Sequence, residues 1–396
     1  MYREILRNFD GFLKKTFTNC NFSAMLYKLN YALEVKTMKK CAILLVLALI
    51  VGIFAGCAGN IVIVGDCTCP TGGHGTVTEP TTPKPTTPKP TVPAGEGALK
   101  TGLAIVANTT GSAAGKADYD VTLVAVLVDD NGVIYDCIID SIGTKVEFGT
   151  TGTITTDLSA AVKTKNELGD SYGMVAWGGA IAEWYQQAEA LANFAIGKTL
   201  EELKNGAIDE TGKAPAGSDL ASSATIYLGG YVSAIEVAVN NAQHLGAQTG
   251  DELRMAALPG LSSSVSATAE KAGTAQLDCD VTALTVKDGV ITSCYIDSLQ
   301  AKVSFDATGA ITSELSAAVA TKNQLGEKYG MVSWGGAIAE WNVQAASFCA
   351  YVTGKTAAQV AGIAVNEGTK PTDADLSASV TIAIGGFQAL LAKALG

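Results

Sequence analysis

Two histidines in 396 residues leave little room for a histidine-rich metal centre or for a Ser-His-Asp relay, which needs an imidazole beside its nucleophile. Charge is scarce as well: Asp, Glu, Lys and Arg make up 16% of the chain, against about 25% in an ordinary soluble domain. No basic surplus exists, because 27 Lys and Arg face 38 Asp and Glu for a net charge of −11. That disfavours a dedicated nucleic-acid surface, which neutralises phosphates with clustered basic residues. The chain also lacks a Cys-x-x-Cys pair, a Gly-x-Ser-x-Gly turn and the upstream glycine of a phosphate-binding loop. Gly197-Lys198-Thr199 and Gly354-Lys355-Thr356 are therefore expected to end one helix and cap the next.

The charge that is present is unevenly spread. Residues 1–40 carry eight basic and three acidic side chains, which leaves −16 on the remainder. An acidic body behind a basic front is the pattern of an exported protein, and it suits an anionic membrane poorly beyond an anchor. After Lys39-Lys40 comes the uncharged apolar run Cys41 to Ala55, a signal-peptide h-region behind its basic n-region. It ends in Phe54-Ala55-Gly56-Cys57, which resembles a bacterial lipobox with Phe54 in place of the usual Leu. The resemblance implies a lipid on Cys57 and attachment to the extracytoplasmic face of the cell membrane. On this reading residues 1–37 are a spurious extension ahead of a start at Met38, 38–56 are the signal peptide, and 57–97 are the lipidated cysteine and a tether. One uncleaved transmembrane helix over 41–59 is the alternative, and it too places the body outside the cytoplasm.

Cys67 and Cys69 have no second pair and only His74 nearby, so no metal is expected there. From Thr76 to Pro93 the Thr-Pro-Lys-Pro repeat has no apolar side to bury, and its prolines favour an extended, semi-rigid spacer.

Beyond the tether the chain says the same thing twice. Residues 164–184 realign on 321–341 at an offset of 157, with 17 of 21 positions identical. The copies are too long for solenoid units and read as two domains, 98–247 and 262–396, joined by a linker, 248–261. Each opens on β-branched runs around a turn signal: Val121 to Val128 and Val133 to Ile139 about Asp129-Asp130-Asn131-Gly132, then Val281 to Val286 and Val290 to Ile296 about Lys287-Asp288-Gly289. Helices are expected near 157–168, capped by Thr156 or Asp157, near 179–196 with Ile181, Trp184, Ala188 and Leu191 on one face, and near 230–244. Their repeats fall near 314–325, 336–353 and 386–395. The fold class is α+β, antiparallel strands followed by helices in each copy.

The succession of this hairpin, Thr164-Lys165-Asn166-Glu167-Leu168-Gly169, a Trp-bearing helix, Gly197-Lys198-Thr199 and then Asp219 to Ile226 resembles extracytoplasmic FMN-binding-domain proteins, across nearly all of each copy. It is most similar to their degenerate lipoprotein relatives. In flavinylated members a threonine near the end of the domain carries FMN through a phosphoester, in a motif close to Asp-Gly-x-Ser/Thr-Gly-Ala-Thr. The resemblance places that threonine at Thr225, with Asp219, Ser222 and Ala224 matching while Leu220 and Ser223 replace the two glycines. In the second copy Asp375 and Thr381 alone match securely. It implies two functions to weigh. One is a ligand-binding or structural surface module that kept the fold and lost the flavin. The other is an electron carrier with FMN on Thr225, served by a flavin transferase and a membrane redox partner. Capping and turn roles for Ser222, Ser223 and Thr225 are the plain alternative.

Other residues recur in both copies. Tyr172, Trp177 and Trp184, with Tyr329, Trp334 and Trp341, are expected to line a core or a shallow groove on which a ring could stack. Glu183 and Glu340 read as helix surface charge, and Asp140 and Asp297 as strand ends; no acid–base set accompanies them, so no catalytic residue is assigned. Cys137 and Cys294 share a strand position. Cys279 and Cys349 occur only in the second copy, opposite Tyr119 and Ala192, and leave a disulfide within that copy open.

Overall fold

The computed structural model describes residues 97–396, all inside one compact unit, Lys84–Gly396. The start at Met38, the signal peptide, the lipid on Cys57, the Cys67–Cys69 pair and the spacer through residue 96 lie outside the described residues.

Both copies are α+β. The first is a three-stranded antiparallel sheet of β1 (Lys100–Asn108), β2 (Lys116–Val128) and β3 (Ile134–Glu147), in that order. Helices α1 (Lys165–Leu168), α2 (Met174–Gly178), α3 (Trp184–Ala195), α4 (Leu200–Ala207), α5 (Asp219–Ser223) and α6 (Gly229–Asn240) follow. The second repeats this as β4 (Glu252–Gly260), β5 (Gly273–Lys287) and β6 (Val290–Phe305), then α7 (Lys322–Leu325), α8 (Met331–Gly335), α9 (Trp341–Val352), α10 (Ala357–Ala361), α11 (Ala374–Ser377) and α12 (Gly385–Leu395). Thr199 and Thr356 cap α4 and α10, as the two Gly-Lys-Thr triplets led one to expect.

Burial on both faces explains the unbroken apolar run of β2. Val121, Leu123, Ala125 and Leu127 point into a core shared with Leu277, Cys279, Val281 and Ala283 of β5. Val124 and Val126, on the opposite face, meet α3 and α6. Leu284 and Val286 do the same beneath α9 and α12. The copies thus form four layers, helix, sheet, sheet, helix, with the two sheets in contact.

The contact is reciprocal. Phe148 stacks on Phe305, its counterpart 157 residues on, with ring centroids 3.7 Å apart and planes 4° from parallel. Gly115 N donates to Gly309 O and Ala267 N to Gly152 O, each at 2.9 Å. Gly152 and Gly309 are themselves counterparts, held at φ 64° and 73°. A side chain on Gly309 would run into the Gly149 carbonyl, so glycine is needed there for backbone conformation and for space.

Several expectations change. The segment read as a linker, 248–261, contains β4, whose Pro259 is tolerated because β4 is an edge strand with its own sheet on one side only. Its counterpart in the first copy, β1, likewise falls outside the expected strands. In place of a helix over 157–168 only Lys165–Leu168 is helical, and Thr164 caps it. Thr156 instead accepts from Glu147 N, and Asp157 takes the amide and hydroxyl of Ser159. Ile181 precedes its helix and is exposed, while Trp184, Ala188 and Leu191 share the buried face.

Strand register also revises one pairing. Leu277, Cys279 and Val281 sit opposite Ala301, Leu299 and Asp297; Tyr119, Val121 and Leu123 sit opposite Thr144, Ile142 and Asp140. Cys279 therefore corresponds to Val121 rather than Tyr119. The matching Asp-x-Asp-Val-Thr strings align two residues out of register, and a slip of two leaves every side chain on its own face.

Candidate functional site

Each copy builds the same device from the block Thr-Lys-Asn to Glu-Trp. Thr164 caps α1 in a capping box with Glu167. The Asn166 amide then donates to Asp140 Oδ1 at 3.0 Å, while its side chain donates to Ile139 O, which fastens α1 to β3. Lys165, on the same turn, lies over the rings of Tyr172 and Trp184 at 5.3 and 5.0 Å. Gly173, at φ 80°, starts α2, and Gly179, at φ 62°, ends it.

Glu183 anchors this short helix. Its carboxylate accepts from Met174 N at 2.8 Å and Val175 N at 2.9 Å, two amides that a helix start leaves without partners. Glu340 does the same for Met331 N and Val332 N at 2.8 and 3.0 Å. Both glutamates are buried, which corrects their reading as helix surface charge: they are the residues that precede α3 and α9.

The pinned turn holds an indole outward. Trp177 is 89% exposed and Trp334 92%, with Val175, Ile181, Val332 and Ile338 exposed around them. Each indole rests against the glycine that opens its helix, Gly173 or Gly330, where a side chain would collide with the ring. Trp184 and Trp341 are core residues. Trp184 Nε1 donates to Tyr231, and Trp341 meets Phe387 edge-on. Tyr172 is partly exposed, and half-buried Tyr329 donates to Gln300. The six aromatics therefore divide into core and surface, and no single groove collects them.

Asp140 and Asp297 are interior to β3 and β6 rather than at their ends. Each accepts from the next residue's amide, and burial raises both carboxyls, Asp297 to about 6.

The region around Thr225 is organised by Gln187, a residue the sequence reading did not single out although its repeat, Gln344, lies at the same offset of 157. Gln187 Oε1 accepts from Thr225 N at 2.8 Å, Ile226 N at 3.1 Å and the Thr225 hydroxyl at 3.3 Å. Gln344 repeats this at Thr381 and Ile382. Asp219, Ser222 and Ser223 lie on α5, which Ser218 caps, and Ser222 donates to Asp219 O. Thr225 is exposed. A phosphoester on it would bring phosphate oxygens beside the Gln187 carbonyl oxygen, which already occupies the two nearby amides. That arrangement fits FMN poorly. Where the family motif has glycines, Leu220 is buried and Ser223 sits in a helical turn.

Among the described residues no group of three or more His, Cys, Asp and Glu stands together as a metal site, and no helix is long and apolar enough to cross a membrane. Compared with protein-family models, with curated proteins and with solved structures, the chain matches none.

Proposed function

We propose that the chain is an extracytoplasmic, membrane-anchored binding lipoprotein whose duplicated fold is a rigid mount for two surface tryptophans, and that these bind the sugar rings of a neutral cell-wall glycan. The observation that carries this reading is the exposure of Trp177 and Trp334, each on a short helix fixed by a buried glutamate. An exposed apolar cluster marks an interaction site, and Val175 and Ile181, or Val332 and Ile338, are exposed along with each indole. Gly178-Gly179 and Gly335-Gly336 follow the rings without side chains of their own, which leaves each indole face open to the apolar face of a pyranose. The net charge of −11 argues against an acidic polymer as the ligand. Two equal sites on one body raise the avidity for a repeating polymer.

Co-sedimentation with insoluble cell-wall glycan tests this. Wild type is expected to pellet, each of Trp177→Ala and Trp334→Ala to bind at least tenfold more weakly, and the double variant to stay in solution. Equal pelleting of wild type and double variant would overturn the assignment.

The electron-carrier reading is second. It draws on the exposed Thr225 hydroxyl and stands against the Gln187 contacts. Added FMN mass and visible absorbance after production beside a flavin transferase, both lost in Thr225→Ala, would put it first.

A further inference from the structure

The second copy holds a cavity at positions that bulkier residues occupy in the first. α9 carries Asn342 and Ala346 where α3 has Tyr185 and Glu189. The Tyr185 ring is buried among the residues beneath α3, and its hydroxyl donates to Asp170. The smaller pair lines a cavity of about 490 Å³, rimmed by Gln243, His244 and Leu245 from the segment after α6.

Two thiols line the same cavity. Cys294 of β6 and Cys349 of α9 are 2% and 5% exposed and belong to one core cluster, and the Cys294 thiol bears on the ionisation of Cys349. In the first copy Cys137 keeps the strand position, but Ala192 takes the helix position. Cys279 cannot join the pair: it faces the core between the sheets, and β5 separates it from the helix side. Asn342 narrows the cavity far less than the tyrosine at the matching place in the first copy.

We propose that Cys294 and Cys349 form a dithiol–disulfide site, reached through this cavity by a small peptide-like disulfide. The Cys349 thiolate attacks one sulfur of the external disulfide; that S–S bond breaks, one external thiolate leaves, and a mixed disulfide forms on Cys349. The Cys294 thiolate then attacks the Cys349 sulfur, and the mixed bond breaks to release the second external thiol. The protein gives up two electrons to the external disulfide, and its two thiol protons end on the two released thiols. Burial and the neighbouring Cys294 hold the Cys349 thiol well above its ordinary range, so thiolate is scarce at neutral pH and exchange is slow, quickening by roughly tenfold per pH unit. The product staples β6 to α9.

The test is incubation of the full chain with oxidised glutathione at alkaline pH, alkylation of the remaining thiols, and peptide mapping. The expected result is a reductant-sensitive peptide joining residues 294 and 349, with a Tm gain of roughly 5 °C from closing a long loop. Cys349→Ala installs the first copy's residue and should lose both bridge and Tm gain. Asn342→Tyr installs the first copy's plug and should slow bridge formation at least tenfold while keeping the reduced protein's circular dichroism. Cys294 and Cys349 both recovered as alkylated thiols, a stable glutathione adduct on one of them, or a bridge that includes Cys279 would each overturn the proposal.

Discussion

Replacing Asp297 with asparagine removes a buried charge while keeping the oxygen that the backbone uses. Asp297 Oδ1 accepts from Ser298 N at 2.7 Å and Asn323 N at 3.0 Å, and the carboxylate takes the Thr321 hydroxyl as well. These bonds favour the charged form, yet burial outweighs them and lifts the carboxyl from 3.8 to about 6. A folded-state value above the unfolded one means that folding holds a proton which the unfolded chain has already released. The stabilisation is complete below about pH 4 and is lost as the pH rises through about 6, a fall of about 3 kcal/mol. Asp297→Asn keeps its Oδ1 acceptor and offers Thr321 a donor in exchange for an acceptor. Urea unfolding of wild type and variant between pH 4 and pH 7.5 reads the effect. The variant should lose most of the wild-type slope in that window and be about 1–3 kcal/mol more stable at pH 7. Asp140, also raised by burial, should leave a smaller slope that Asp140→Asn removes. Exposed carboxylates such as Asp306, held low by local hydrogen bonds, act in the opposite sense but equally in both proteins. An unchanged slope, or a variant less stable than wild type at pH 7, would show that the hydrogen bonds outweigh burial and refute the reasoning.

Gly309→Ala meets the Gly149 carbonyl and requires a left-handed alanine, so it should cost about 3 kcal/mol or more by urea unfolding. Gly132→Ala, left-handed but in open space, should cost only about 1 kcal/mol. Phe148→Ala and Phe305→Ala should each cost about 3–5 kcal/mol, with a coupling of about 1 kcal/mol in a double-mutant cycle; additive losses would mean the stacked rings act independently. Glu183→Gln leaves one of two buried amides without an acceptor, so it should cost about 1–3 kcal/mol and speed hydrogen exchange at Met174 and Val175; unchanged exchange would mean that something other than Glu183 pins α2.

The duplication, the two hairpins and the α+β order were legible because they rest on local signals. β-branched runs make strands, and the turn at Asp288-Gly289 is written in two residues that accept positive φ, 51° and 79°. Strands β1 and β4 were not legible, since Gly102 and Pro259 disguise them. What those residues do is tertiary: Gly102 lets α6 approach β1, and Pro259 is harmless only on an edge. The site divides in the same way. Sequence singled out the six aromatics, the recurring glutamates and the pair Cys137 and Cys294, because identical residues 157 apart announce a shared role.

Sequence alone could not say which tryptophan is buried, for Trp177 and Trp184 are equally apolar and differ only in what faces them. Nor could it turn Glu183 inward, since the two amides that hold it belong to a helix eight and nine residues earlier. It also could not set Cys349 against Cys294 with Cys279 on the far side of a strand. Local propensity and periodicity determined the elements of this protein. The meeting of its two sheets, and of each sheet with its helices, decided which side chains reach solvent, because burial is a property of two surfaces and a sequence segment describes only one.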